Sequence, residues 1–322
     1  MLRQDPSLNW RPNSPLSNLK ARAHMNQVIR DFFRVRGVLE VETPALSVSA
    51  NTDPAITSFS VNTPQGLRYL HTSPEYPMKR LLAAGSGDIF QICKVWRQDE
   101  AGRCHNPEFT LLEYYRVGFS WQSLMQEVAE LLQCLLPSLQ APRFISYRDC
   151  FLETLQIDPH AASEAELSAV AQQQGIDIET LGDLDRQAWC DLLFTHCIES
   201  CLPVDSLSFV YHYPAQQSAL AQVVYTQEQD QPVAERFEVY WGALELGNAY
   251  QELTDAAANR AKLQADALLQ SESMPLDELF LAAMAHGMPK TAGVAIGLDR
   301  VLMCRLGENF LHRVLSFAWD AA

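Results

Sequence analysis

Two runs of strand-forming residues, DIFQICKVWRQD and EFTLLEYYRVGF, are joined by the short polar loop EAGRCHNP. Two such runs with one connection specify an antiparallel pair. The other long strand-type segments, LSFVYHY, ERFEVYWGALELGNAY and AGVAIG, lie far downstream. The pair must therefore recruit its neighbours from distant sequence, which implies a mixed α/β (α+β) domain with a largely antiparallel sheet flanked by helices. Helical periodicity begins at Leu16, where Met25, Val28, Ile29, Phe32 and Phe33 fall on one face and Gly37 marks the stop. It returns over 120–136, in several segments of 146–200, near 254–270 and 276–285, and from Leu298 onward. The segment SPEYPMKRLLAAG reads as a short helix with Ser73 at its N-cap, Pro74 at its first position and Gly85 at its end. Pro6, Pro12 and Pro15 make 1–15 an extended lead. The remainder, 16–322, reads as one domain with a helical insertion at about 140–205.

Composition narrows the function classes. The chain has 322 residues with 24 Lys plus Arg against 39 Asp plus Glu, a net charge of −15. That balance argues against non-specific nucleic-acid binding, which needs a surplus of cations to neutralise phosphates. No apolar run approaches the ~18 residues of a membrane span, and MLRQDPSLNWRPNSPL lacks the apolar centre of a secretion signal, so a cytoplasmic location is expected. The eight cysteines include no CxxC pair. Cys190, Cys197 and Cys201 follow a helical pattern and read as a buried face rather than a metal site.

Phosphate-binding loops of the GxxxxGK[ST] type are absent, as are HExxH, GxSxG and a strand followed by GxGxxG. Any phosphate chemistry here needs arginines on a sheet. Strand alternation puts Arg97 and Asp99 on one face, and Phe109, Leu111, Glu113 and Tyr115 on one face of the second strand. This fits either a surface ion pair beside a core aromatic or a floor for a ligand with a phosphate, a flat base and an amine. In ERFEVYWGALELGNAYQELTD, Glu238, Glu245 and Glu252 recur every seven residues, and Gly242 and Gly247 favour strands over a solvated helix face. For Glu245 and Asn248 to share a face a bulge is required, with Gly247 its natural place. Paired carboxylates beside phosphate-binding arginines point to Mg²⁺. In AGVAIGLDRVLM a small-residue strand feeds a helix with Arg300 at its N-terminal end, where an anion is favoured.

Together these segments resemble the class II aminoacyl-tRNA synthetase catalytic domain. RDFFRVRGVLEVETPAL is similar to its first motif, KVWRQDEAGRCHNPEFTLLEYY to its second and GVAIGLDRVLM to its third. TSPEYPMKRLL, HNPEFT and LELGNAYQELTD narrow the resemblance to the lysyl branch, and within it to truncated paralogues that join β-lysine to a lysine of elongation factor P. Two features carry that last step. The first motif begins about twenty residues from Met1, with no anticodon-binding barrel before it, and Ala295 stands where the synthetase's third motif usually has glycine.

The resemblance implies an ATP- and Mg²⁺-dependent ligase acting on (R)-β-lysine and elongation factor P, with no tRNA partner and a homodimer through the Pro44 region. It implies catalytic roles for Arg97, Glu245 and Arg300. A nucleotide site of Arg97, Gln98, Asp99, Asn106, Phe109, Glu245, Leu246, Gly297 and Arg300 follows, with Phe109 and Arg300 enclosing adenine. The implied amino-acid pocket is Ser73, Pro74, Glu75, Tyr115, Asn248, Glu252 and Ala295. There Glu75 takes the α- or β-amino group and Tyr115 with Glu252 the distal ammonium. The implied metal ligands are Glu238 and Glu245. Asp99 departs from the glutamate common in the second motif. A lysyl-tRNA synthetase-like enzyme, a small-molecule amide ligase and a catalytically silent regulatory paralogue are the competing readings.

Overall fold

The computed structural model describes residues 10–98, 100–136, 140–178, 181–225, 231–270 and 275–322. Asp99 and residues 1–9 of the lead lie outside them. The helices are α1 (Leu16–Val35), α2 (Glu75–Ala83), α3 (Trp121–Leu135), α4 (Tyr147–Leu155), α5 (Glu164–Gln173), α6 (Arg186–Leu193), α7 (Ala256–Leu269), α8 (Glu278–His286) and α9 (Leu298–Leu306). The strands are β1 (Leu39–Glu40), β2 (Leu46–Ser47), β3 (Ser60–Thr63), β4 (Gly66–Leu70), β5 (Ile89–Trp96) and β6 (Glu108–Val117). After them come β7 (Arg143–Ser146), β8 (Leu207–Pro214), β9 (Val223–Val224), β10 (Val233–Trp241), β11 (Leu244–Gln251) and β12 (Thr291–Gly297).

The main sheet runs β1-β5-β6-β12-β11-β10-β8-β7, with β9 also pairing β10. Its pairs are antiparallel except β1 with β5 and β7 with β8. Strands β5 and β6 form the expected hairpin, with Gln91 opposite Glu113 and Ile89 opposite Tyr115. Alternation then splits the sheet's residues between two environments. Phe90, Leu112, Tyr114, Val294, Ile296, Ala249 and Phe237 face α1, α3 and α9 in the principal core. Phe33 of α1 stacks on Phe90 at 4.5 Å and meets Tyr114 edge-on at 4.8 Å. Truncating such a buried ring to alanine costs about 3–5 kcal/mol.

The opposite face presents two rows across the strands. Glu113, Ala295, Asn248 and Glu238 lie opposite one another from β6 to β10, and Tyr115, Gly293, Tyr250 and Arg236 form the adjacent row. Between them β10 and β11 slip register. Val239 pairs Gly247 but Tyr240 pairs Glu245, so Leu246 is the extra residue. The bulge thus falls immediately beside Gly247, and Glu245 and Asn248 both open onto the same cleft.

Helices α4 to α6 form a second core with Tyr147, Phe151 and Phe194, joined to the sheet through the parallel β7–β8 pair. Ser146, Ser163 and Asp185 cap these helices, Ser163 in a capping box with Glu166. After α6 the chain loosens into a π-helical turn, Phe194–Ile198, then a 3₁₀ turn, Glu199–Cys201. The change of period breaks the expected cysteine face: Cys190 is buried, Cys197 half-buried and Cys201 exposed. Helices α2, α7 and α8 make a third cluster around Met78, Leu82 and Phe280, closing one side of the cleft.

Candidate active site

A cleft of about 870 Å³ covers the polar face of the sheet. One end is built from α2, β6, β11 and β12. Ser73 donates to Glu113 Oε2 at 2.7 Å and accepts from the Glu75 amide at 3.0 Å. The helix itself starts at Glu75 with Pro74 as its N-cap, so Ser73 serves the first turn from one residue earlier than the sequence pattern placed it. Tyr115 donates to Glu113 Oε1 at 2.7 Å. Lys79, one helical turn after Glu75, has a 0% exposed side chain and pairs with Glu75 Oε1 at 2.6 Å and Glu252 Oε2 at 2.5 Å.

These groups hold each other's protons in unusual ranges. Burial, reinforced by the nearby Glu75, pushes Glu113 up to about 8, and the hydroxyls of Ser73 and Tyr115 only partly oppose it. Burial also lifts Glu252 to about 7, with Lys79 pulling down and Glu75 pushing up. Burial disfavours the Lys79 ammonium, but Glu252 and Glu75 outweigh it and keep the lysine charged. Gly293 is required between these side chains, since a Cβ there would lie 2.4 Å from the Tyr115 ring and 2.5 Å from Glu252 Oε1. Ala295 sits one step along β12, opposite Glu113 and Asn248.

The other end carries the arginines. Strand β5 stops at Trp96, so Arg97 is not a strand residue but the first of the loop, fixed by its amide to the Pro107 carbonyl at 2.9 Å. Its guanidinium lies 5.1 Å from the Phe109 ring centre, contacts Glu100 at 2.9 Å and reaches the Thr72 carbonyl. Arg300, in the first turn of α9, donates to the Glu245 carbonyl at 2.8 Å and to the Cys104 carbonyl at 3.3 Å, and approaches His105 Nε2 at 2.6 Å. Burial and the neighbouring Arg300 together lower the His105 pKa. Asp299, at the edge of the cleft, is taken up in a structural joint, accepting from the Thr110 amide at 2.7 Å and pairing with Arg22 of α1. Gly297 leaves open the approach beside Arg300.

Several expected site residues have other employment. The Leu246 side chain is packed into the principal core, because the bulge turns it to the helical face. Only its backbone reaches the cleft. Asn106 is buried and bridges the Glu108 carbonyl and the Trp319 amide, holding the C-terminal segment against the motif loop. Gln98 is exposed, with its amide bonded to the Thr57 carbonyl. Asp99 is outside the described residues.

The two expected metal ligands differ sharply. Glu238 Oε2 accepts from Tyr213 at 2.6 Å and Tyr240 at 2.5 Å, while Oε1 receives Arg236 and Asn248. A carboxylate has about four lone-pair sites, so Glu238 is saturated and would have to release a donor to bind a cation. Glu245, with a side chain 39% exposed, lies 3.6 Å from Arg300 and faces the cleft. Burial within the cleft and the adjacent Glu238 raise its pKa. Among the described residues no group of three or more His, Cys, Asp or Glu side chains could hold a metal by itself. One free carboxylate suits Mg²⁺, which keeps waters and is commonly completed by a nucleotide's phosphates.

Lys79, Arg236 and Glu199 are cleft or near-cleft residues that sequence reasoning did not place in the site. Glu113, which strand alternation puts on one face with Phe109 and Tyr115, lines the cleft beside them although the family resemblance gives it no role. Glu199, on the 3₁₀ turn that follows α6 and its π-helical turn, lines the cleft wall and is raised to about 7 by burial, then by Glu238 and Glu245. It carries no local sequence signal.

The family described as tRNA synthetases class II (D, K and N) matches residues 2–321. A protein of Edwardsiella ictaluri named "Elongation factor P--(R)-beta-lysine ligase" is 42% identical over 324 residues, 98% of this chain and 98% of the relative. Relatives of the same name occur in Pectobacterium carotovorum, 42% identical over 98% of both chains, and in Klebsiella pneumoniae, 43% identical over 97% of this chain and 98% of the relative.

Proposed function

The chain belongs to the class II tRNA synthetase family, and from that membership we propose an ATP-dependent ligase that activates (R)-β-lysine and transfers it to a lysine of elongation factor P. The carrying observation is a single cleft with arginines and an aromatic face at one end and, at the other, Glu75 and Glu252 joined by an internal lysine beside Glu113. Adenine fits the Phe109 face, with Arg300 closing from α9. Arg97 is placed to hold both the α-phosphate and the substrate carboxylate, its several donors matching two anions at once. Glu75 takes the nearer amino group and Glu113, with Tyr115, the distal one. Glu252 is engaged by Lys79 and supports the pocket rather than meeting the substrate alone.

Activation proceeds by attack of the amino-acid carboxylate on the α-phosphorus, giving the aminoacyl-adenylate and pyrophosphate. Arg97 and Arg300 stabilise the charge that develops on the phosphoryl oxygens. Glu245 is the residue to hold Mg²⁺, which when bound neutralises phosphate charge. In the second step the acceptor ε-amine attacks the activated carbonyl and AMP leaves. A free lysine titrates near ~10.4, so that amine must shed a proton before it attacks.

Exposed apolar residues near the first motif support a pairing of two chains. Val35, Leu39, Leu46 and Val48 are exposed around the Pro44 segment, and a cavity of about 220 Å³ lined by Pro44, Leu46 and Val48 shares Ser73 and Glu75 with the active cleft. A homodimer through this surface would seal ground next to the amino-acid pocket. No helix among the described residues is long and apolar enough to cross a membrane, and a cytoplasmic enzyme is the reading adopted. The net charge of −15 disfavours tRNA as acceptor.

The test supplies ATP, Mg²⁺ and lysine isomers, follows pyrophosphate exchange, and then weighs purified elongation factor P. Exchange with (R)-β-lysine and a mass gain of one lysyl residue on the factor are expected. Exchange followed by charging of tRNA, with no gain on the factor, would overturn the acceptor assignment. Absence of exchange with every isomer would overturn the enzyme.

A further inference from the structure

We infer that Lys79 is a specificity-determining residue of the amino-acid pocket: an internal ammonium, held between Glu75 and Glu252, that leaves the pocket short of two positive charges. This rests on the reading of the cleft as a diamino-acid site and assigns the origin of its charge count. Once entering ammonium groups displace the protons that Glu113 and Glu252 hold, Glu75, Glu113 and Glu252 together carry three negative charges, and the fixed ammonium of Lys79 removes one. What remains is the charge of two substrate ammoniums, the substrate carboxylate being left to Arg97.

The geometry prevents other groups from doing this work. Lys79 rises from α2 one turn beyond Glu75, the helical spacing at which a Glu–Lys pair meets. Its side chain is fully enclosed, so the ammonium cannot withdraw to solvent as surface lysines do. Glu252 cannot swing toward β12, because Gly293 leaves room there only for the Tyr115 ring and the carboxylate already in place. Lys79 occupies Oε1 of Glu75, leaving the other oxygen to the cleft, so it also fixes where the substrate's nearer amino group must sit. Without it, Glu75 and Glu252 would face each other unshielded, and one would have to take up a proton or a foreign cation.

The experiment is pyrophosphate exchange with Lys79→Ala, titrating (R)-β-lysine and ATP separately. A rise in the KM for (R)-β-lysine of about thirtyfold is expected, because Glu75 and Glu252 lose the group that holds them in place and one of them takes up a proton, with the KM for ATP within about twofold of the parent. Added n-propylammonium, which replaces the missing segment and its charge, should restore most of the affinity. The uncharged n-propanol should not. Should Lys79→Ala fail to fold, the double variant Lys79→Met with Glu252→Gln removes the buried cation and one anion together, which spares the fold an unpaired charge. The double variant should show the raised lysine KM with no response to n-propylammonium. An unchanged lysine KM in either variant, or equal rescue by n-propanol, would overturn the inference. The parent protein run alongside separates this from the function itself: exchange by the parent upholds the enzyme whatever the variants do.

Discussion

At the amino-acid end of the cleft, charged atoms already answer one another inside the protein. Lys79 joins Glu75 to Glu252, and Glu113 is clasped by Ser73 and Tyr115, with Lys79, Glu113, Tyr115 and Glu252 buried and Glu75 partly open to the cleft. At the nucleotide end, Arg97 and Arg300 rest on backbone carbonyls and on Glu100 or His105, and Glu245 is partly open to water. The first arrangement is preformed and buried, suited to measuring a small dication. The second leaves its arginines free to exchange weak internal partners for the stronger anionic oxygens of a triphosphate. One end selects, and the other gathers charge in the transition state.

The separation of these duties can be broken most forcefully at Arg97. Arg97→Ala should lower the pyrophosphate exchange rate by about 10²–10³-fold, the usual consequence of removing a donor that serves developing charge. Stabilisation against heat by (R)-β-lysine alone should be weakened in that variant, since the substrate carboxylate loses its partner, but retained through the two ammonium groups, and its complete loss would show that the ends are not independent. Next in size, Glu113→Gln should raise the KM for (R)-β-lysine by about 10–100-fold, the scale of one buried charge-assisted hydrogen bond, while leaving the KM for ATP nearly unchanged. Comparable effects on both constants would contradict the division.

A pH titration sharpens the same contrast. Glu113, raised to about 8, and Glu252, at about 7, must yield protons when ammonium groups enter. Lysine affinity should therefore rise with pH from 6 to 8, by at most about tenfold per unit for each proton released, and level off above. Glu113→Gln should flatten the upper part of that rise. The ligand-free protein should behave oppositely. A carboxyl whose folded pKa exceeds its unfolded value binds more protons when folded, so its stabilising contribution is complete below about pH 4.5 and is lost as pH climbs through 8. Melting temperature without ligand should fall between pH 6 and 8.5, with a shallower fall in Glu113→Gln. The smallest effect is expected at Ala295, whose methyl group lies beside Glu113 on the pocket floor. Ala295→Gly should move preference toward α-lysine by about tenfold, the discrimination one methyl-sized contact supplies. Unchanged selectivity in competition assays would remove Ala295 from the pocket's selectivity.

Much of the scaffold is visible in the linear text because periodicity is local. Alternation in β6 puts Phe109, Leu111, Glu113 and Tyr115 on one face, and all four reach the cleft. The spacing of Glu245, Gly247 and Asn248 demands a bulge, and the register slips at the adjoining Leu246. The same bulge shows where local reading stops: only the packed sheet decides that Leu246 turns into the core. Glu238 is a parallel case. Its sequence neighbours reveal Arg236 and Tyr240, but Tyr213 and Asn248 arrive from flanking strands, and together the four use up the carboxylate a cation would need. Glu199 lies where the chain after α6 loosens into π and 3₁₀ turns, a change of period that no residue pattern announces.

By itself the sequence determined which strands pair in the hairpin, which face of each carries polar groups, and which arginines and carboxylates the site could draw on. Those are consequences of backbone geometry acting over a few residues. The tertiary structure alone decided the charge each group carries and which groups remain free to bind. Lys79 is paired with Glu252 and Glu113 is pushed up to about 8 because electrostatic interaction and desolvation depend on distance through space and on exclusion of water, and neither is set by separation along the chain.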